Sequence, residues 1–309
     1  MARILVSGLV NVETTVKVRK FPIDYYPIDY PFFGVQSHVS GVAMNIAAAA
    51  RKLGDEVVLS SMTGQDFQAE YIRRELSSLG VDCSGIRDVL RQTPSSVILY
   101  DDTGRRQVYC DLKDIQETAY PLTAGMLDGV DLVVCCNINF NRPLLHAAKA
   151  AGKRIATDVH VLGNIHDEYN REFMECADSL FLSDEAAGED YRGFLKKLYR
   201  TYGNEIIVMG RGGKGAALCW QGSIYEIPAV QVGPVVNTVG AGDSLFTSFH
   251  HFVASGYNPV EALIRAQIFA SAKIGANGGA QGFISEDRVQ EFYLQFAEGM
   301  KQKMQVFPF

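Results

Sequence analysis

The sequence predicts an α/β protein, a three-layer domain with a mostly parallel central sheet flanked by helices and a small β-sheet added to it. Two observations predict this class. Short apolar runs rich in Val, Ile and Leu alternate with segments of helical periodicity, as a parallel sheet with crossover helices requires. Two early segments, 14–38 and 95–113, carry aromatics, prolines and hairpin signals where a crossover helix would stand, so they fall outside that alternation.

In chain order, Ile4–Gly8, Val57–Met62, Leu132–Asn137, Ile155–Asp158, Ser179–Leu182 and Ile206–Met209 read as strands buried on both faces. Helices are expected over Ala43–Leu53, Gln65–Leu79, Arg142–Ala151 and Asp184–Tyr202, and the C-terminal portion turns helical over 243–255, 259–276 and 286–303. Thr14–His38 holds Phe21, Tyr25, Tyr26, Tyr30, Phe32 and Phe33. Ser95–Asp111 reads as a hairpin turning at Asp102-Thr103-Gly104.

The 309 residues are 47 % apolar and 21 % charged, enough apolar surface for one large core without extensive disorder. A net charge of −6 without a basic tract argues against a nucleic-acid partner. No uninterrupted apolar run reaches the length of a membrane span, and the opening MARILVSG reads as a strand and turn, not a signal peptide. The six cysteines form no C-x-x-C pair, so buried free thiols and a reducing cytoplasm are expected.

The chemistry concentrates in Asn237-Thr238-Val239-Gly240-Ala241-Gly242-Asp243, which runs into a segment with Leu245, Phe246, Phe249, Phe252 and Val253 at helical spacing. A helix start offers unpaired amides and the positive end of the dipole, and the glycines let a phosphate approach them. Asp243 in the first turn stands where it could take a proton from an attacking hydroxyl, and the helix end is expected to keep it ionised at neutral pH. A second glycine run, Gly210-Arg211-Gly212-Gly213-Lys214-Gly215, spells G-x-G-x-x-G after a strand. A dinucleotide site needs that turn to open a helix. Here Ala216–Trp220 and Ser223–Tyr225 read as a hairpin, and no Lys-Ser/Thr completes a phosphate loop, so both readings fail.

Three segments together, Gly8-Leu9-Val10-Asn11-Val12-Glu13, Ser40-Gly41-Val42-Ala43-Met44-Asn45 and the Asn237–Asp243 run, resemble the ribokinase/PfkB family of carbohydrate kinases in order and spacing. The resemblance implies a ribokinase-like fold, ATP and Mg²⁺, with the two irregular segments forming a lid within one domain spanning 1–309. It implies Asp243 as base, the Gly240, Ala241 and Gly242 amides as anion hole, and a sugar held by Asn11, Glu13, Gly41 and Asn45. It places the nucleotide near Ser183, Gly210, Gly212, Gly213 and Thr238, with adenine against Ala272, Ala276 and Asn277. Arg211 or Lys214 could approach its phosphates, a solvated basic turn being the other reading. Mg²⁺ would be held through phosphates and water, and a monovalent cation such as K⁺ near Asn237, Val239 and Gly279. Lids of the family often pair, so the resemblance allows a homodimer through the lid, while the sequence leaves the oligomeric state open.

Three residues depart from the pattern. Glu13 stands where the family has an aspartate that binds sugar hydroxyls, and reaches about a methylene further. Asn237 replaces the first aspartate of D-T-x-G-A-G-D. Ser183-Asp184-Glu185-Ala186 lies where the family often has Asn-x-x-Glu, with Asp184 or Glu185 as candidate substitutes. The expected activity is an ATP-dependent sugar kinase; a nucleoside kinase of the same fold and a weakly catalytic nucleotide-binding regulator are the competing readings.

Overall fold

The computed structural model describes all 309 residues. β1 (Arg3–Ser7) opens the chain. β2 (Asn11–Lys17) and β3 (Val35–Ser40) form an antiparallel pair, and α1 (Val42–Leu53) then returns to β4 (Glu56–Thr63), which lies parallel to β1. After α2 (Phe67–Ser78) and β5 (Asp82–Asp88), a second hairpin is made by β6 (Ser95–Tyr100) and β7 (Arg106–Asp111). The chain then alternates through β8 (Leu132–Cys135), α3 (Arg142–Ala150), β9 (Arg154–Val161), α4 (Arg171–Cys176), β10 (Ser179–Ser183), α5 (Tyr191–Tyr202) and β11 (Ile206–Gly210). It closes with β12 (Ala216–Trp220), β13 (Ser223–Ile227), α6 (Ala241–Ala254), α7 (Pro259–Lys273), α8 (Glu286–Lys303) and β14 (Gln305–Pro308).

Ten strands make the main sheet in the order β14-β13-β12-β11-β10-β9-β8-β1-β4-β5, parallel from β11 to β5 and antiparallel from β11 outward to β14. Its continuous apolar strands feed both faces alternately. Ile4 and Val6 join one core with α1, α2, α6, α7 and α8, while Leu5 joins the other, beneath α3, α4 and α5. The expected three-layer class is therefore observed.

The four-stranded sheet, ordered β3-β2-β6-β7, is built from the two segments that break the alternation. Its first hairpin runs from Asn11 to Ser40, slightly outside the expected 14–38, and its second, Ser95 to Asp111, lies within 95–113. Pairing sets Glu13 opposite His38 and Ser96, so the period of two puts Asn11, Glu13, His38, Ser40, Ser96 and Cys110 on one face. Val12 and Val39 face the other way and join the main core. Tyr25, Tyr30, Phe32 and Phe33 sit exposed in the connection between β2 and β3.

The expected helix from Asp184 begins only at Tyr191. Asp184–Ala186 forms a single 3-10 turn, Gly188 adopts φ 71°, and Asp190 caps α5 by accepting from the Gly193 amide. A left-handed residue followed by a good cap resets the start of the helix. The glycine run at 210–215 leads through a 3-10 turn into antiparallel β12, the hairpin expected. β5, α4 and β14 were not foreseen, being short or at the chain end.

Candidate active site

The first turn of α6 is positioned by the packing of its apolar face. Phe246 and Phe249 meet Phe181 of β10 edge-on, with ring centres 5.0 and 5.3 Å apart. At the far end of α6, buried His251 Nδ1 lies 2.8 Å from Asp55, which also accepts from the Ala2 amide at 2.9 Å. These contacts pin α6 against α1 and the sheet.

Gly240 caps α6 at φ 75°, and a Cβ there would meet the Gly279 carbonyl at 2.6 Å, so this close approach requires glycine. No side chain caps the helix. The Ala241 amide turns back to the Thr238 carbonyl and Ser244 closes the first turn onto Gly240, leaving the Gly242 and Asp243 amides unclaimed. By contrast α2, α5, α7 and α8 are capped by Asp66, Asp190, Asn258 and Ser285.

α1 starts in a related way. Gly41 has φ 107°, a Cβ there would strike the Leu9 carbonyl at 2.5 Å, and no side chain caps the helix. One turn on, buried Asn45 donates from Nδ2 to Asp243 Oδ2 at 2.7 Å, while its Oδ1 is buried without a partner. Asn11, also buried, donates to Ser96 Oγ at 2.9 Å and likewise leaves Oδ1 unpaired. Two orphaned buried acceptors beside a carboxylate are what a hydroxyl-bearing ligand would satisfy. Glu13 is held by Ser40 Oγ at 3.3 Å and lies 3.7 Å from His38 Nε2. Asn11, Glu13, Gly41, Asn45 and Asp243 thus run from the small sheet to the helix start.

Burial, and secondarily the charge of Asp158, push the Asp243 carboxyl up to about 6, against the lowering effect of the Asn45 hydrogen bond and the charges of His160 and Lys273. The helix end was expected to keep it ionised at neutral pH. Desolvation outweighs the dipole here, though the group is still mostly ionised at neutral pH.

Asp158 and His160, at the C-terminal end of β9, escaped the sequence reading. His160 takes φ 58°, and its amide donates to Asp158 Oδ1 at 2.7 Å. The signal was available, because ligands of open α/β sheets gather at the carboxyl ends of strands. Lys273, the last residue of α7, was also missed; it is fully buried and its ammonium donates to the Val239 carbonyl.

On the side expected to hold the nucleotide, Ser183 and Gly210 are register partners at the ends of β10 and β11. Gly212 and Gly213 are exposed in the following turn, as is Thr238 before the α6 start. Ala272, Ala276 and Asn277 lie at the end of α7 and just beyond it, where the Ile274 carbonyl accepts from the Val236 and Asn237 amides. Arg211 does not reach out as a free cation. It stacks on Tyr191 at 4.0 Å and lies 3.8 Å from Glu226 and 3.9 Å from Asp184, so charge pairing draws it away from the turn. No group of three or more His, Cys, Asp or Glu converges to hold a metal. Mg²⁺ carried by nucleotide phosphates and water fits such a site, since that ion keeps most of its waters.

A glycine-opened helix with an aspartate in its first turn thus faces an asparagine beside a small sheet. The chain belongs to the pfkB family of carbohydrate kinases, whose model matches residues 1–286. It is 26 % identical over 235 residues to fructosamine kinase FrlD of Bacillus subtilis (strain 168), covering 74 % of this chain and 78 % of that one. It is 23 % identical over 311 residues to a nucleoside kinase of Methanocaldococcus jannaschii, covering 94 % and 96 %. Among solved structures, a microbiome-derived acarbose kinase, Mak1, superposes with a TM-score of 0.84 at 23 % identity, covering 94 % of this chain and 98 % of that one, which shows the shared fold. The protein is an ATP-dependent sugar kinase of this family, a phosphotransferase with an alcohol group as acceptor.

Proposed function

We propose that the acceptor is a free sugar or sugar derivative, and that Asp243 is the base. The acceptor hydroxyl would sit against Asp243, with the orphaned oxygens of Asn45 and Asn11 and the Glu13 carboxylate taking its neighbouring hydroxyls. As the hydroxyl oxygen bonds to the γ-phosphorus and the bond to ADP breaks, the hydroxyl proton passes to Asp243. The unclaimed Gly242 and Asp243 amides stabilise the charge on the transferring phosphoryl oxygens. Mg²⁺, held through the phosphates and water, would supply charge neutralisation there. The face of the small sheet carrying Glu13 and Ser96 closes over the sugar as a lid, and the adenine lies against Ala272, Ala276 and Asn277, with the phosphates running past Ser183, Gly210 and Thr238.

The observation that carries this reading is the Asn45–Asp243 pair at 2.7 Å, with an unpartnered buried amide oxygen on one side and unclaimed helix amides on the other. A nucleoside acceptor would call for aromatic faces near the acceptor. The aromatics between β2 and β3 lie beyond the Lys17–Val35 end of the hairpin, on the order of 20 Å along β2 from Asn11. ADP release from Mg·ATP over a panel of hexoses, pentoses, sugar phosphates, amino-sugar derivatives and nucleosides tests the assignment. Highest kcat/KM on a nucleoside would reverse it.

The fully exposed edge strand β7 and the exposed aromatic connection support pairing of two lids into a homodimer. Six free cysteines, four of them buried, fit a reducing cytoplasm. No helix is long and apolar enough to cross a membrane.

A further inference from the structure

One charged group beside the cradle has no part in the chemistry above. Lys273 is wholly excluded from solvent, and its ammonium has a single hydrogen-bond partner, the carbonyl of Val239, the residue before Gly240. No carboxylate lies within ion-pairing distance of it, and the charge it feels most is Asp243. A buried ammonium with one neutral partner is costly unless an anion offsets it. The surroundings that could offset it are the Asp243 carboxylate and the phosphates that the α6 amides would hold.

The same corner is where the family resemblance places a monovalent cation, and the residues here do not fit one. The Val239 carbonyl is already taken by Lys273. The Asn237 side-chain oxygen accepts from the Val239 amide at 2.9 Å, and as an amide it carries no charge. The Val236 and Asn237 amides donate to the carbonyl of Ile274, the residue after Lys273. Two oxygens of that corner, the Val239 carbonyl and the Asn237 side-chain oxygen, are thus engaged, and a fixed positive charge stands beside them.

We infer that the Lys273 ammonium is a built-in cation. It holds the Val239 carbonyl, and through it the Gly240–Gly242 turn, in the phosphate-binding arrangement, so that this kinase binds Mg·ATP without potassium. Lys273 acts as a positioning residue, and its role rests on the nucleotide site proposed above.

The test is the affinity of the full chain for Mg·ATP, measured by calorimetry at equal ionic strength in tetramethylammonium chloride and in potassium chloride, with no acceptor present. The wild type is expected to bind alike in both, within about twofold. Lys273→Met, which keeps the volume and deletes the charge, is expected to weaken binding by roughly ten- to a hundredfold in tetramethylammonium, the size of one charge-assisted hydrogen bond. Lys273→Ala, which leaves a cavity, is expected to regain much of the lost affinity on adding potassium or ammonium. Severalfold tightening of the wild type by potassium would overturn the inference even if neither variant folds. So would wild-type affinity in a folded Lys273→Met, or a loss in folded Lys273→Ala that neither ion relieves. Absence of Mg·ATP binding by the wild type in both salts would overturn the nucleotide site itself, and this inference with it.

Discussion

Replacing Asp243 by Asn removes the proposed base while keeping the shape that Asn45 recognises, and it should trade activity for stability. An amide cannot accept the hydroxyl proton, so kcat should fall at least about a hundredfold with Mg·ATP affinity nearly unchanged. The stability effect follows from the raised carboxyl. Its folded-state value of about 6 lies above the ordinary 3.8, with burial as the main cause. A carboxyl shifted upward contributes its stabilisation fully below its unfolded value and withdraws it as pH rises through the folded one. At neutral pH the wild type therefore carries an ionised, partly desolvated Asp243 at a cost of about 1–3 kcal/mol, which the neutral amide escapes. For a chain of this length that corresponds to a rise in Tm of about 2–4 °C, fading to nothing below roughly pH 4. Paired measurements, turnover by ADP release and thermal melting across pH, decide the matter. Near-normal turnover in a folded variant would remove Asp243 from the chemistry. A variant that melts lower than wild type at neutral pH would refute the desolvation account.

Three further outcomes follow from the same geometry. kcat/KM should rise with pH through about 6 as Asp243 ionises, and Asp158→Asn should move that limb to lower pH by removing the neighbouring charge that raises it; an unmoved limb in a pH–rate profile would exclude Asp158 from the field at the base. Glu13→Ala should raise the acceptor KM by roughly ten- to a hundredfold, the loss of charge-assisted hydroxyl bonds, while Glu13→Asp should shift preference among acceptors; a loss of stability with unchanged acceptor KM would make Glu13 structural. Gly279→Ala would bring a Cβ to 2.7 Å from Asn45 Oδ1, displacing the side chain that pairs with Asp243, so activity should drop more than thermal stability, and full activity would show that Asn45 need not hold its place.

The sequence by itself determined the layers, the order of the elements and the two ends of the chemistry. Continuous apolar strands alternating with amphipathic segments leave few alternatives to a covered parallel sheet, and the glycine run that opens a helix with Asp243 in its first turn is a local signal carried by adjacent residues. The hairpin after Gly215 was legible for the same reason, since its periodicity and turn lie within a few residues. What only the tertiary structure decided depends on residues far apart in the chain. Asn45 and Asp243 are separated by 198 positions, and nothing local pairs them. Arg211 looked free in the sequence because its partners Glu226, Asp184 and Tyr191 come from three other elements. The upward shift of Asp243 could not be foreseen from a helix dipole, because what opposes the dipole is desolvation in the folded chain and the carboxylate of Asp158 delivered by β9. Lys273 reads in sequence as the basic residue that often ends a helix. Only folding shows that its ammonium turns inward to the carbonyl before the phosphate cradle, since its destination is set by packing between α6 and α7 and not by the residues beside it.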